Sequence, residues 1–302
     1  MELNVPRSGL MAVWRSAPRE DARYMDTSML AFLAAPFAAS LILTGIHAYL
    51  GVHVVERGVI FVDLSLAQIA ALGATIALLT PWSNGDAHAP YVYWISLLFT
   101  FIGAAIFATV RTRHARIPQE AIIGICYAVA SAAAILAMSK ATSESEHLKD
   151  MLVGNILAVS WTEVGRTGLL YGAIGLFHYI FRDKFLAISL DPAAAEARGV
   201  SIRLWDFLFY ASFGFVVTSS VSIAGVLLVF CYLIVPSVAA MLYADGIGRR
   251  LALGWTMGTV VSALGVYLSL QLDLPTGATI VCTFGLVLLL MVAVRPLIRR
   301  AF

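Results

Sequence analysis

Long apolar blocks alternate with short polar connections from residue 29 to residue 294. A helix needs about 20 mostly apolar residues to cross a bilayer, so each block of this length is a candidate span. The blocks lie near residues 29–50, 59–79, 91–110, 120–138, 164–181, 204–222, 226–244, 251–272 and 276–294. The pattern predicts an all-α, polytopic membrane protein with about nine transmembrane helices.

One polar stretch, residues 184–203, interrupts this pattern between the fifth and sixth blocks. Within it, Asp191 is a suitable N-cap, Pro192 suits the first helical position and Gly199 suits the end of a helix. The helix predicted at about residues 191–199 is too short to be stable alone, because isolated helices below about 12 residues are marginal in water. It must dock, either on its own protein as an ordinary loop helix or in a partner as a coupling element.

The remaining segments set the limits of the membrane domain. We predict an N-terminal surface tail at residues 1–28, a transmembrane domain at 29–295 and a C-terminal tail at 296–302 on the cytoplasmic side. Residues 151–160 are apolar but span only about half a membrane, which predicts a re-entrant or interfacial piece.

Composition and charge agree with this architecture. The chain is 60% hydrophobic and 13% charged, with a mean hydropathy of +0.87, values that are typical of a protein embedded in lipid. The net charge of +2 is small, so a nucleic-acid partner is not expected.

Basic residues gather in alternate connections, which predicts the orientation because short cytoplasmic loops carry an excess of lysine and arginine. The connections at 80–90, 140–150, 220–225 and 273–276 hold few basic residues and should face outward, as should the N-terminal tail. The basic residues that mark the cytoplasmic side are Arg57, Arg111, Arg113, Arg116, Arg182, Lys184, Arg198, Arg203, Arg249, Arg250, Arg295, Arg299 and Arg300.

Several chemistries lack their motifs in this sequence. There is no G-x-x-x-x-G-K-[ST], no H-E-x-x-H and no G-x-S-x-G, so an internal ATPase motor or a hydrolase is not supported, and we expect no enzyme activity. The cysteines Cys126, Cys231 and Cys282 each lie in an apolar block without C-x-x-C spacing. We expect neither a disulfide framework nor a cysteine-built metal site.

Asp63 lies about one turn into the second apolar block, and a carboxylate at that depth normally faces a cavity, a pore or a partner. Ser65 and Gln68 follow it on the same helix. Asp63 is therefore predicted either to line the route of a cation or to serve as a hydrogen-bonded structural group. An ATP-independent carrier or channel that uses Asp63 as a protonatable coupling group remains an alternative.

Other polar groups indicate function less strongly. His47 and His53 bracket the end of the first block and are expected to be structural. Two predicted outer loops combine histidine with acids and could attract a divalent cation, although solvated loops explain them more simply. These loops contain His88 with Asp86, and His147 with Glu144, Glu146 and Asp150.

Five segments together resemble one known family, the membrane-spanning permeases of bacterial ABC-type zinc, manganese and iron uptake systems, called ABC-3 permeases. The likeness covers about residues 30–295. The segments are GIHAYLGVHVVERGVIFVDLSLAQIAALG, MLVGNILAVSWTEV, FLAISLDPAAAEARGV, GVLLVFCYLIVPSVAAMLYA and DLPTGATIV.

The resemblance implies the permease fold of type II importers such as those for vitamin B12, in the cytoplasmic (inner) membrane. It implies a homodimer that docks separate ABC ATPase subunits, which bind the ATP, and receives zinc, manganese or iron from an extracytoplasmic solute-binding protein. No cofactor bound by this chain is implied. A permease for a metal chelate is an alternative. The residues to which the resemblance gives an ATPase-coupling role are Asp191, Pro192, Glu196, Arg198 and Gly199.

One position departs from the family pattern, which commonly has an Asp in the second span and a His four residues later. Here Ala67 stands four residues after Asp63, and Gln68 follows it. Either Asp63 is the family aspartate and the histidine is lost, or Leu64 and Gln68 occupy the two positions. Asp63 and Gln68 are the residues that we predict to contact a metal ion in transit.

Overall fold

The computed structural model describes residues 19–83, 89–111, 117–138 and 156–301, with the side chains of residues 33–82, 89–111, 117–138 and 156–296. These residues form α-helices and two short 3₁₀ helices, Pro81–Ser83 and Ile156–Ala158, and no strand. The α-helices are α1 (Arg19–Arg57), α2 (Val62–Leu78), α3 (Pro90–Val110), α4 (Gln119–Met138), α5 (Trp161–Ile180), α6 (Arg182–Leu190), α7 (Pro192–Ala197), α8 (Ile202–Tyr243), α9 (Ile247–Leu272) and α10 (Thr276–Ala301).

The predicted apolar blocks all fall in these helices, which confirms the all-α prediction. Within the described residues, six helices are long and apolar enough to cross a membrane, namely the Leu33–Arg57 part of α1, then α3, α4, α8, α9 and the Thr276–Pro296 part of α10. Helix α2 is apolar but has only 17 residues. The chain is a multi-pass membrane protein, and the count of nine spans stays a prediction.

Helix α8 contains one residue that breaks its helical backbone. Gly225 has φ 75° and ψ 160°, a conformation that is open essentially only to glycine. A straight helix of the 42 residues of α8 would extend about 63 Å. The two ends of α8 nevertheless lie close together, so the chain turns back at Gly225.

The contacts at the ends of α8 establish this turn. Near its start, Asp206 accepts a hydrogen bond of 2.7 Å from Arg57, the last residue of α1. Just after its end, the Ala244 carbonyl accepts from Arg250, which is also paired with Glu56. Because Glu56 and Arg57 are consecutive, α8 is a helical hairpin, as the two apolar blocks 204–222 and 226–244 predict.

The core lies where α1 and α8 meet, and both helices pack there without space for extra atoms. A Cβ added at Gly51 of α1 would lie 1.9 Å from the Leu233 carbonyl oxygen and 2.3 Å from Ser237 Oγ. Around this contact, aromatic side chains fill the interior; those with no exposed surface include Phe107, Phe185, Phe209, Tyr210, Phe213 and Tyr232.

The two ends of the bundle are distinct. The basic connections predicted to face the cytoplasm converge at one end, where Arg57 and Arg111 both contact Asp206. At the other end, Val159 and Val164 pack with the start of the first span, and Ile223, beside the turn of α8, lies against them. The predicted separation of inner and outer connections therefore matches the packing.

The termini and one short segment refine the predicted boundaries. Helix α1 begins at Arg19, inside the predicted N-terminal tail, and α10 continues through Ala301, inside the predicted C-terminal tail. Of the predicted re-entrant piece, residues 151–155 lie outside the described residues, and Ile156–Ala158 is a single 3₁₀ turn. A capping box between Ser160 and Glu163 then starts α5.

Candidate functional site

The predicted coupling helix is α7, and local contacts fix both of its ends. Asp191 is its N-cap, with the carboxylate accepting from the Ala194 backbone N–H at 2.9 Å, and Pro192 opens the helix. At the other end Gly199 has φ 79°, and the Val200 N–H reaches the Ala195 carbonyl at 3.1 Å. This pair of features is a Schellman motif, which ends the helix at the predicted glycine.

The exposure of α7 shows which of its sides is covered. Ala195 has no exposed surface and packs against the membrane domain, whereas Asp191, Glu196, Arg198 and Gly199 are exposed. Helix α7 therefore docks on its own protein through one small residue and presents a charged face outward. That face is available to a second protein.

A buried ion cluster lies at the end of the bundle that carries α7. Asp206 accepts from Arg57 at 2.7 Å and from Arg111 at 2.9 and 3.0 Å. The side chains of Arg57 and Asp206 have no exposed surface, and that of Arg111 is 17% exposed. Two guanidinium groups thus share one buried carboxylate, and of the three side chains that of Arg111 alone is partly exposed.

Asp63 lies in the first turn of α2, as predicted, and is 1% exposed. Its Oδ1 has no hydrogen-bond partner among the described residues, and neither has the hydroxyl of buried Ser65. Half-buried Gln68 is five residues further along, about 140° around the helix axis from Asp63. The structure thus places Asp63 in the interior but puts Gln68 on a different face of α2.

A second set of buried polar groups connects α1, α5 and α8 at mid-bundle. The Tyr171 hydroxyl lies 2.5 Å from Ser220 Oγ, which in turn lies 3.2 Å from Nε2 of His47. Nδ1 of His47 is held 2.8 Å from the Leu43 carbonyl of its own helix. His47 therefore has a structural hydrogen bond on one ring nitrogen, and its other ring nitrogen faces the tyrosine and serine.

His53 and His178 form a neighbouring set around Tyr49. Nδ1 of His178 lies 3.3 Å from the Tyr49 hydroxyl, and its Nε2 lies 2.8 Å from Ser212 Oγ. Nδ1 of His53 lies 2.8 Å from Ser189 Oγ in α6. These bonds agree with the structural role expected for His53, and they bring in His178, which the sequence did not single out.

A cavity of about 500 Å³ opens between α1, α5 and the first turns of α9. Tyr49 and Tyr171 form part of its wall, so the histidines described above lie behind the rings that face the cavity. The wall is mostly apolar and aromatic, with Ile42, Ile46, Gly172, Gly175, Tyr179, Arg182, Leu251 and Trp255 among its residues.

The described residues do not include a ready-made metal site. No three His, Cys, Asp or Glu side chains among them are placed to hold one ion together. Cys126, Cys231 and Cys282 are free cysteines. The outer loops with His88 and His147 lie outside the described residues, and so do their acidic neighbours.

The sequence did not single out the ion cluster as a site, although one signal was present. Asp206 stands inside an apolar block, as Asp63 does, and the same argument about carboxylates in membranes applies to both. Its partners could not be identified from sequence, because Arg57 is 149 residues away and Arg111 is 95 residues away.

Comparison with known proteins gives a consistent result. The profile described as the ABC 3 transport family matches residues 29–295. Over 188 residues the chain is 30% identical to the manganese transport system membrane protein MntC of Listeria innocua, covering 60% of this chain and 67% of that protein. Over 271 residues it is 27% identical to the manganese import system permease protein ScaB of Streptococcus gordonii, covering 84% of this chain and 95% of that protein.

Two solved structures share the fold. PsaBC from Streptococcus pneumoniae, in complex with Fab, superposes with a TM-score of 0.73 and 24% identity, covering 89% of this chain and 94% of that one. A putative metal-chelate type ABC transporter in an inward-facing conformation superposes with a TM-score of 0.67 and 18% identity, covering 92% of this chain and 91% of that one. At these identities the likeness establishes the architecture of the helices.

Proposed function

Because the chain belongs to the ABC 3 transport family, we propose that it is the membrane permease subunit of an ATP-binding-cassette importer for a divalent metal ion. The cargo is zinc, manganese or iron, and a separate subunit hydrolyses the ATP. Two copies of the permease, two ATPase subunits and an extracytoplasmic solute-binding protein complete the system. Both relatives described above are named for manganese transport, which supports this cargo class.

Helix α7 is the observation that carries the proposal. It is capped at both ends, buries only Ala195 against its own protein and exposes Glu196 and Arg198 at the basic end of the bundle. A carrier that works without ATP has no need of a preformed helix of this kind. A motor subunit does, because it can move the spans only by pushing on an element that is joined to them.

Asp63 is the residue that we assign to the route of the ion. A carboxylate is expensive to bury in a membrane domain, and a carboxylate oxygen without a partner leaves a place for a cation. Gln68 supplies a neutral oxygen from another face of the same helix, so it would contact the ion at a different step. Oxygen donors of this kind hold manganese more readily than thiolates do.

A metal chelate is the second candidate cargo, and the cavity beside Tyr49 and Tyr171 favours it. The cavity has about the volume of a small-molecule site, and its wall is largely apolar and aromatic. A bare divalent ion gains nothing from such a wall, whereas an organic ligand around the metal would pack against it.

Uptake by the reconstituted importer tests both cargoes. The permease, the ATPase and the binding protein encoded with it are assembled in proteoliposomes, and uptake of Mn²⁺, Zn²⁺, Fe²⁺ and a ferric catecholate chelate is measured with and without ATP. We expect ATP-dependent uptake of at least one free ion. Uptake of the chelate alone would favour the second cargo, and uptake that is independent of ATP would contradict the importer function.

A further inference from the structure

The ion cluster of Arg57, Arg111 and Asp206 is joined to the segment that leads into α7. Arg57 Nε donates to Ser189 Oγ at 2.9 Å, and Arg111 Nη2 donates to the Ile188 carbonyl at 3.3 Å. Both acceptors lie in the last turn of α6, which ends at Leu190, immediately before the N-cap of α7. The two arginines therefore hold the chain just ahead of the coupling helix.

The same arginines hold the chain beyond the coupling helix, because their shared carboxylate, Asp206, is the fifth residue of α8. The segment that precedes α7 and the segment that follows it are thus bonded to the same two arginine side chains. Arg57 is the end of α1, and Arg111 directly follows α3. Four helices meet in one small polar cluster under α7.

Stability alone explains this cluster poorly. Burying ionic groups carries a desolvation penalty, and apolar side chains of similar volume often hold a core as well or better. The cluster holds two cationic groups and one anionic group, and Arg57 Nη2 has no hydrogen-bond partner among the described residues. The guanidinium of Arg57 also lies 3.9 Å above the ring of Phe209. Directional bonds of this kind also specify which groups of neighbouring helices face one another, which apolar contacts specify less strictly.

We propose that Arg57, Arg111 and Asp206 are positioning residues that pass the displacement of α7 to helices α1, α3 and α8. This role rests on the proposed function, because it requires that an ATPase moves α7. A push on α7 reaches Ser189 and Ile188, which precede it, and Asp206, which follows it. The arginines turn both displacements into one movement of the ends of α1 and α3.

This movement of α1 reaches the wall of the cavity. Tyr49 and Ile46 on α1 line the cavity, and Tyr49 contacts His178, which is bonded to Ser212 on α8. A shift of α1 against α8 therefore changes the wall of the cavity and the hydrogen bonds behind it. The ion cluster joins the surface that the motor reaches to the interior that the cargo crosses.

The test compares ATP hydrolysis with cargo uptake in the reconstituted importer, with Mn²⁺ as the probe. The first variant is Ser189→Ala, which removes the acceptor of Arg57 Nε, and with it the partner of His53 Nδ1, with little change of volume. The second is Arg57→Met with Asp206→Leu, which replaces the ion pair by apolar side chains and leaves Arg111 at its partly exposed position. Ser262→Ala is the control, because its hydroxyl is also buried and hydrogen-bonded, to the Tyr232 hydroxyl and the Gly258 carbonyl, about 18 Å along α9 from Arg250 at the basic end.

We expect the ATP hydrolysed per ion imported to rise about tenfold in both test variants, within the usual range of coupling between sites, and to stay unchanged in Ser262→Ala. A purely structural role would lower hydrolysis and uptake together, in proportion to folded protein, and that result would overturn the proposal. If the unaltered importer shows no ATP-driven uptake, the proposed function fails and the positioning role fails with it. If the double variant does not assemble, the ATP hydrolysed per ion imported by the Ser189→Ala variant decides between the positioning role and a purely structural one.

Discussion

Asp63 and Asp206 are both carboxylates buried inside apolar helices, yet their surroundings differ. Asp206 accepts three hydrogen bonds from two arginines. Asp63 has one oxygen without a partner among the described residues. A fully bonded carboxylate serves the architecture around it, whereas an incompletely bonded one is available to a cation. Sequence alone cannot separate the two, because the difference depends on residues that are distant along the chain.

Substitution of Asp63 by Asn should reduce uptake of the transported ion about tenfold or more, which corresponds to about 1.4 kcal/mol of activation free energy. The change removes the negative charge and keeps the volume, so assembly with the ATPase should be unaffected. Initial rates of ⁵⁴Mn²⁺ uptake in proteoliposomes measure the reduction in uptake. The exposed Asp245→Asn is the matched control, and equal rates for both variants would remove Asp63 from the ion route.

Gly51 provides a residue-scale test of the packing between α1 and α8. An alanine Cβ there would overlap the Leu233 carbonyl oxygen at 1.9 Å, and that oxygen belongs to the backbone and cannot rotate away. We expect Gly51→Ala to cost about 3 kcal/mol or more of stability, because overpacking of this severity forces backbone shifts.

Gly45→Ala is the control for this substitution, because it lies on the same helix and a Cβ there meets nothing within 4 Å. It should leave stability unchanged or raise it by about 0.5–1 kcal/mol, the gain expected from alanine in a helix. Thermal unfolding of both variants in detergent, followed by circular dichroism, measures the difference. A Gly51→Ala protein as stable as the control would show that α1 and α8 are not packed as described.

At the scale of elements, α7 was predictable nearly to the residue, and the reason is physical. An N-cap, a proline in the first turn and a glycine at the end act through atoms within a few residues of one another, so the sequence carries all of them. The site beneath α7 was not predictable in the same way, because its hydrogen bonds join α6, α1 and α8 across the fold.

The charged face of α7 should be needed for coupling and dispensable for folding. We expect Glu196→Ala with Arg198→Ala to lower ATP-driven uptake about tenfold while the permease remains folded, since both side chains are exposed. Uptake and ATP hydrolysis of the reconstituted complex measure this. Asp273→Asn, at the opposite end of the bundle, is the control. Normal uptake by the double variant would show that α7 does not receive the motor.

Helix α8 shows how far block lengths predict an element. The two blocks 204–222 and 226–244 predicted two spans joined by an outer connection, and the contacts at both ends of α8 agree with a hairpin. What block lengths could not predict is that the connection shrinks to a single residue. Gly225 makes that possible, because other residues do not readily adopt its backbone angles.

At the scale of the whole molecule, hydropathy was sufficient to place the helices, because lipid requires every backbone group to be bonded within its own segment. It was insufficient to count the spans, since α2 is short and α8 reverses inside one helix. The positions of the arginines predicted on which side of the membrane each connection lies. The convergence of Arg57, Arg111 and Arg250 at one end of the bundle agrees with that prediction.

The predicted orientation can be measured with single cysteines in a variant whose native cysteines, Cys126, Cys231 and Cys282, are replaced by alanine. A cysteine at Glu196 should react with a membrane-impermeant maleimide only after the cells are opened. A cysteine at Leu274 should react in intact cells, because its connection carries no basic residue. Reaction of both in intact cells, or of neither, would contradict the assigned orientation.

The bond between Arg57 and Asp206 also constrains how the protein is made. The two residues are 149 positions apart, so Arg57 leaves the ribosome long before its partner exists. Until then its guanidinium must stay at the hydrated surface of the membrane, because an unpaired arginine is costly in hydrocarbon. The end of α1 can therefore reach its final position only after the start of α8 has been synthesised, so the region beneath α7 cannot be completed while only the helices before α8 exist.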